Sequence, residues 1–105
     1  MRTLKFKVDK QIINKDPTCD FTGLVAGTEG YLQAEFSFSS EWDGCIKVAD
    51  FSCRGKECPP QVLENNKCVI PNEALIERTF SVRIIGKRKN LKLTTNKAVV
   101  VQNGR

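Results

Sequence analysis

Alternation of apolar and polar residues between positions 32 and 38 is the clearest structural signal in the chain. A period of two places one apolar row on a single face of a β-strand. A second apolar segment, residues 45–51, follows the turn-forming dipeptide Asp43-Gly44, and the pattern therefore predicts a hairpin over residues 36–51. The alternating apolar residues of its first arm are Leu32, Ala34, Phe36 and Phe38.

Further strands are predicted by the same periodicity and by the turn residues between them. Asn65-Asn66 separates two of these strands and predicts a second hairpin. Pro71, followed by good helix formers, predicts one short helical crossover over residues 71–76. These further strands are expected over residues 3–8, 11–13, 61–64, 67–70, 79–85, 91–95 and 98–102.

Domain organisation follows from these elements. At 105 residues the chain fits one domain, which we expect to span residues 1–105. Residues 14–30 are rich in Asp, Pro, Thr and Gly and predict a long surface loop. The predicted fold is all-β: an antiparallel two-sheet β-sandwich with one short helical crossover. Within it, Val99-Val100-Val101 predicts a final strand that is covered on both faces or partnered by another chain.

The only tryptophan, Trp42, stands at the rim of the first predicted hairpin. If it is covered, it buries about 200 Å², more than any other side chain of the chain. We therefore favour a core residue whose turn neighbours are polar. The alternative is an exposed indole that stacks on a sugar ring while Glu41 and Asp43 accept hydrogen bonds from the sugar hydroxyls.

Charge is unevenly distributed along the sequence. Residues 1–77 hold nine Lys and Arg and twelve Asp and Glu, whereas residues 78–105 hold eight basic residues and no acidic one. Lys87, Arg88 and Lys89 form a basic tract that is either a solvated turn or a contact for an acidic protein. We do not expect nucleic-acid binding, because Phe80 is the only aromatic residue among these basic positions.

Five cysteines and no histidine limit the chemistry of the chain. An odd number of cysteines argues against an obligatory disulfide framework. Cys53 and Cys58 flank a predicted hairpin tip, where they are expected either as free thiols or as a facultative disulfide bridge. A structural zinc site needs four ligands, and this loose pair has no second pair beside it. We expect no metal and no other cofactor.

Catalytic motifs are also absent from the sequence. Histidine is the usual general base near neutral pH, and the chain has none. We therefore expect a protein that is not an enzyme. No apolar run has membrane-spanning length, and the N-terminus lacks the apolar block of a signal peptide. Synthesis and retention in the cytoplasm of the producing cell are expected.

Several separate pieces of the sequence together carry a resemblance to a known group of proteins. These pieces are the run Phe-Ser-Phe-Ser-Ser-Glu-Trp-Asp-Gly at 36–44, Lys47, Phe51, the run 68–75, Gly86 and Thr94-Thr95-Asn96. Together they resemble small β-sandwich proteins and domains of tailed bacteriophages that infect Gram-positive hosts. In that group, similar domains are attachment modules of baseplate upper proteins and of head or tail fibres.

The resemblance implies a non-enzymatic virion structural or accessory protein of the baseplate, tail or head. Its implied partners are other virion proteins. The uneven charge and the apolar edge strand over residues 98–101 also predict a homo-oligomer, or a tight complex with a virion protein, through the region from Lys87 to Val101. No membrane partner is expected. The implied locations are the host cytoplasm during synthesis and the virion afterwards. The alternative is a phage-encoded binding module that engages a host protein, a defence protein or a small ligand.

Overall fold

The fold is all-β, as predicted, in a computed structural model that describes residues 1–104. Within these residues, ten strands form two sheets, and two short 3₁₀ helices, Ser40–Trp42 and Asn72–Leu75, connect strands of different sheets. The strands are β1 (Arg2–Asp9), β2 (Ile12–Lys15), β3 (Leu32–Phe38), β4 (Ile46–Cys53), β5 (Lys56–Glu57), β6 (Gln61–Val62), β7 (Lys67–Val69), β8 (Thr79–Arg88), β9 (Leu91–Thr94) and β10 (Ala98–Val101).

The first sheet has the strand order β2-β1-β3-β7. β1 and β2 form a tight antiparallel hairpin whose turn uses a positive φ at Lys10. β1 and β3, however, run parallel, with Leu4 beside Ala34 and Phe6 beside Phe36. The prediction that all neighbouring strands are antiparallel is therefore wrong at this pair. The long connection over residues 16–31 allows the parallel arrangement, because parallel neighbours need a crossover longer than a hairpin turn.

The second sheet is built on the long antiparallel pair β4 and β8. β9 and β10 follow one another along the free side of β8, and β5 and β6 do the same along the free side of β4. Each edge of this sheet therefore consists of two short strands with a bend between them. Short and interrupted edge strands are a common way to limit unwanted strand pairing.

The predicted hairpin over residues 36–51 does not form. β3 and β4 belong to different sheets, and the 3₁₀ helix Ser40–Trp42 carries the chain from one to the other. The second predicted hairpin is wrong for the same reason, since β6 pairs with β4 and β7 pairs with β3. Its turn is correct, because Asn65 and Asn66 both have positive φ and a single bridge joins Glu64 to Lys67.

Apolar side chains from both sheets meet in one core, and the predicted helical crossover, found as the 3₁₀ helix Asn72–Leu75, covers one end of it. β1 and β3 contribute the apolar residues of their alternating pattern, as predicted. No helix among the described residues is long and apolar enough to cross a membrane. The largest fully buried side chains include Trp42, Phe6, Phe51, Phe80, Leu4 and Ile84.

Candidate functional site

Trp42 belongs to the core and is not a ligand platform. Its side chain has no exposed surface, and its indole N–H donates to the backbone carbonyl of Lys10 at 2.8 Å. The ring lies 5.4 Å from the ring of Phe38, centroid to centroid, and contacts Gly86 of β8 on another side. The interpretation as an exposed sugar-stacking surface is therefore wrong. The 3₁₀ helix that replaces the hairpin turn points this residue between the two sheets.

Arg88 joins the basic tract to the turn that contains Trp42. Its guanidinium donates to the carbonyl oxygen of Glu41 at 3.2 Å and also to the carbonyl oxygen of Asp43. The two sets of candidate binding residues are thus neighbours in the fold. Hydrogen bonding by Ser39 holds the pKa of the exposed Glu41 carboxyl below its usual value.

The three basic residues of the predicted patch have different environments. β8 continues to Arg88, three residues beyond the predicted strand end at residue 85, so the tip of the hairpin is Lys89-Asn90. All three side chains are exposed, and the guanidinium of Arg88 is in addition bound to the neighbouring turn. Arg88 therefore has a structural contact that Lys87 and Lys89 lack.

A larger exposed surface lies on the solvent side of the second sheet. The buried residues Ala49 and Phe51 of β4, and Val82 and Ile84 of β8, fix which face of each strand meets the core. The residues between them therefore face solvent. We call this surface the outer face.

Four apolar residues form a continuous cluster on the outer face, which we call the outer patch. Val48 of β4 lies between Val62 of β6 and Ile85 of β8 as a direct cross-strand neighbour of both. Ile46 is two residues from Val48 on the same face. Ile46 and Val62 are 69% and 62% exposed, so the ends of the cluster are open to solvent. Contiguous exposed apolar side chains are typical of protein-protein contact sites.

Charged residues flank the outer patch on both sides. On one side, Lys87 lies opposite Ile46 and beside Lys92 of β9. On the other side, Arg83 pairs with Asp50 at 3.2 Å and with Glu57 at 3.6 Å. Asp50 and Glu57 thus balance the charge of Arg83, which belongs to the basic C-terminal part. Lys87 and Lys92 leave a net positive charge next to the outer patch. An apolar centre with a charged rim is the usual composition of an interface.

Sequence reasoning missed the outer patch, although a signal for it exists. Ile84 and Ile85 are adjacent in a predicted strand, so one of them had to lie outside the core. The sequence did not show that Val48 and Val62 would lie beside the outer one. Their proximity follows from the pairing of β4 with both β6 and β8. These pairings join residues that are far apart in the sequence.

The cysteine pair has no bridge and no metal-binding arrangement. Cys53 and Cys58 are buried free thiols in the hairpin of β4 and β5, where Cys58 donates its backbone N–H to Phe51. Burial, and next the neighbouring Cys53, raise the pKa of the Cys58 thiol. Burial raises the pKa of Cys68 to about 12. Within residues 1–104, no group of three or more His, Cys, Asp or Glu side chains is placed to hold a metal ion.

Comparison with protein-family models, with curated proteins and with solved structures finds no match to this chain.

Proposed function

We propose that the chain is a non-enzymatic structural or accessory protein of a tailed-bacteriophage virion, in the baseplate, tail or head, and that it assembles through its outer patch. In this proposal the two sheets form a β-sandwich of the attachment-module kind. The outer patch is the observation that carries the assembly role. The phage setting rests on the resemblance of residues 36–44 and 68–75 to attachment modules of such phages.

The composition of the outer patch supports a protein partner over a small ligand. Its cross-strand apolar residues lie on an open sheet face, where a second protein surface can pack against all four at once. Small ligands instead bind in concave sites that enclose most of their surface. The tryptophan that would have served a sugar is buried. Docking of a protein surface is therefore the activity that this geometry favours.

Lys87 and Lys92 define the kind of surface that fits beside the patch. Both are exposed lysines on one flank of Ile46, so an acidic rim on the partner would be attracted to them. Because such exposed pairs are screened, the association should weaken as salt rises. The partner in this proposal is another virion protein or a second copy of the chain. A host or defence protein with an acidic rim is the alternative partner.

Replacing Ile46 and Val62 together by Glu is expected to lower incorporation of the protein into phage particles by at least about tenfold, because burying unpaired charges in an interface is strongly unfavourable. The variant should fold, since both side chains are mostly exposed. The measurement is the copy number per purified particle, by quantitative mass spectrometry, in the phage that carries the gene.

The matched control is Tyr31→Glu with Ile76→Glu, which adds the same charge at two exposed apolar residues away from the outer patch. This variant should be incorporated like the natural protein. Equal incorporation of both double variants would contradict the proposal. Absence of the natural protein from particles, with a host protein bound to it instead, would support the alternative.

A further inference from the structure

The free edges of the two sheets border one groove. β2 is the outermost strand of the first sheet and β10 is the outermost strand of the second. Both strands line a groove of about 740 Å³ that also includes Pro17 and Asn96. The groove is separate from the outer patch, because none of the four residues of the patch lines it.

Hydrogen bonds hold the chain on either side of residues 97–102. At one end, the Asn96 N–H donates to the Gln11 carbonyl at 3.1 Å, and the Ile13 N–H donates to Asn96 Oδ1 at 2.8 Å. At the other end, Asn103 pairs with the segment 24–26. The six residues 97–102 between these ends span roughly 20 Å. This length matches a short β-strand.

The backbone of β10 offers unused hydrogen-bonding groups to the groove. The Gln102 N–H donates to the Arg78 carbonyl, so the even-numbered residues of β10 face β8. Val99 and Val101 therefore direct their N–H and C=O groups away from β8. Among residues 1–104, no backbone hydrogen bond reaches these outward groups. A strand edge in this state is a template for pairing with another chain.

β2 presents the same kind of edge from the opposite side. The bond from the Ile13 N–H to Asn96 shows that Ile13 faces outward from β1, and by alternation Lys15 does so too. Among the described residues, no backbone hydrogen bond reaches the N–H or C=O of Lys15. At their nearest residues β2 and β10 lie within 8 Å of each other between Cα atoms, less than the roughly 9.5 Å that two strand spacings require, so an extended segment pairs with the edge of β10 and not with both edges at once.

Side chains around the groove define the chemistry of its occupant. Val99 lines the groove, and Val101 follows it on the same face of β10; the two side chains are 50% and 64% exposed. The charged residues that line the groove are Lys7, Lys15, Lys97 and a single acid, Asp9. A segment that alternates apolar with acidic residues would cover the two valines and balance the excess of positive charge. A second copy of β10 would bring its own basic groove residues and be repelled.

We propose that β10 accepts an extended acidic-apolar segment of a partner protein as an added strand. Main-chain hydrogen bonds to Val99 and Val101 give the affinity, and the alternating side chains of the segment give the specificity. The inference rests on the proposed role as an assembly module, to which it adds the chemistry of a second contact.

The probe for this test is an acetylated and amidated octapeptide that alternates valine with glutamate. Its binding to the full chain is followed by NMR. The Val99 and Val101 amide signals should shift, and their hydrogen exchange should slow by at least about tenfold, since they become hydrogen-bonded in a strand. A peptide with lysine in place of glutamate should produce neither change.

Val99→Pro tests the added strand in the protein. Proline is tolerated on an edge strand where the N–H faces outward, and it removes the donor that the segment needs. Affinity for the glutamate peptide should fall by at least about tenfold, whereas Lys97→Glu, which alters one rim charge, should weaken it only about fivefold. If Val99→Pro does not fold, two glutamate peptides replace it, each methylated at every second backbone nitrogen and in opposite registers. The peptide whose methyl groups face β10 should not bind the natural protein, whereas the other should bind.

Unchanged Val99 and Val101 amides at saturating glutamate peptide would overturn the inference. Equal binding by the folded Val99→Pro variant, or by both methylated peptides, would also overturn it. These outcomes are independent of the proposed function, since the peptide measurement needs no phage particle. A protein that enters particles through its outer patch and ignores the peptide would leave the proposed function intact.

Discussion

Replacement of Trp42 by alanine is expected to lower the free energy of unfolding by about 3–5 kcal/mol, the usual cost of truncating a large buried aromatic residue. The indole has no exposed surface and packs between Phe38 and Gly86 at the junction of the two sheets. Its loss leaves a cavity and also an unpaired carbonyl at Lys10, which accepts the indole N–H. Denaturant unfolding followed by circular dichroism measures the change.

Tyr31→Ala is the control for this measurement, because Tyr31 is an aromatic residue that is 52% exposed. Its removal should change the free energy of unfolding by less than about 1 kcal/mol. A loss below about 1 kcal/mol for Trp42→Ala as well would mean that the indole does not hold the sheets together, and would contradict the packing described above.

Gly86→Ala is expected to destabilise the fold by about 1–3 kcal/mol through overpacking. A Cβ at this position would lie 2.7 Å from Trp42 Cζ3 and 2.8 Å from Trp42 Cε3, closer than carbon atoms can approach. Backbone strain does not add to this cost, because Gly86 lies in the regular strand β8 and its φ is outside the left-handed region. The cost should therefore arise mainly from the collision with the indole, and thermal or denaturant unfolding measures it.

A double-mutant cycle with Trp42→Phe isolates this collision. Phenylalanine lacks the second ring of indole, so the added methyl group should cost at least about 1 kcal/mol less in the protein that already carries Trp42→Phe. An equal cost of Gly86→Ala in both backgrounds would show that another contact is responsible. The nearest such contact is the Cβ of Cys45, at 3.3 Å from the added carbon.

Local patterns in the sequence predicted the strands and turns better than they predicted the strand partners. Alternation correctly placed the apolar face of β1, β3 and β8, because the period of two reports which side of a strand is buried. It carries no information about the neighbouring strand. The parallel pairing of β1 with β3 and the separation of β3 from β4 involve contacts between distant parts of the sequence, which a local pattern does not report.

The same limit applies to the candidate site. The basic tract was visible in the sequence, but the bonds of Arg88 to the carbonyls of Glu41 and Asp43 join positions 45 or more residues apart, and no local pattern reports them. The outer patch needed the pairing of β4 with β6 and β8. The three successive valines predicted that β10 is covered on both faces or partnered by another chain. Coverage on both faces is wrong, because Val99 and Val101 are exposed, and the partner chain stays a prediction.

Carbene footprinting of the free protein and of purified phage particles tests the central claim most directly. In the free protein, Ile46 and Val62 should be labelled strongly because both are mostly exposed. In particles, their labelling should fall severalfold while labelling of Ile76, which is 52% exposed and lies elsewhere, stays unchanged. Equal labelling of Ile46 and Val62 in the two states would contradict assembly through the outer patch.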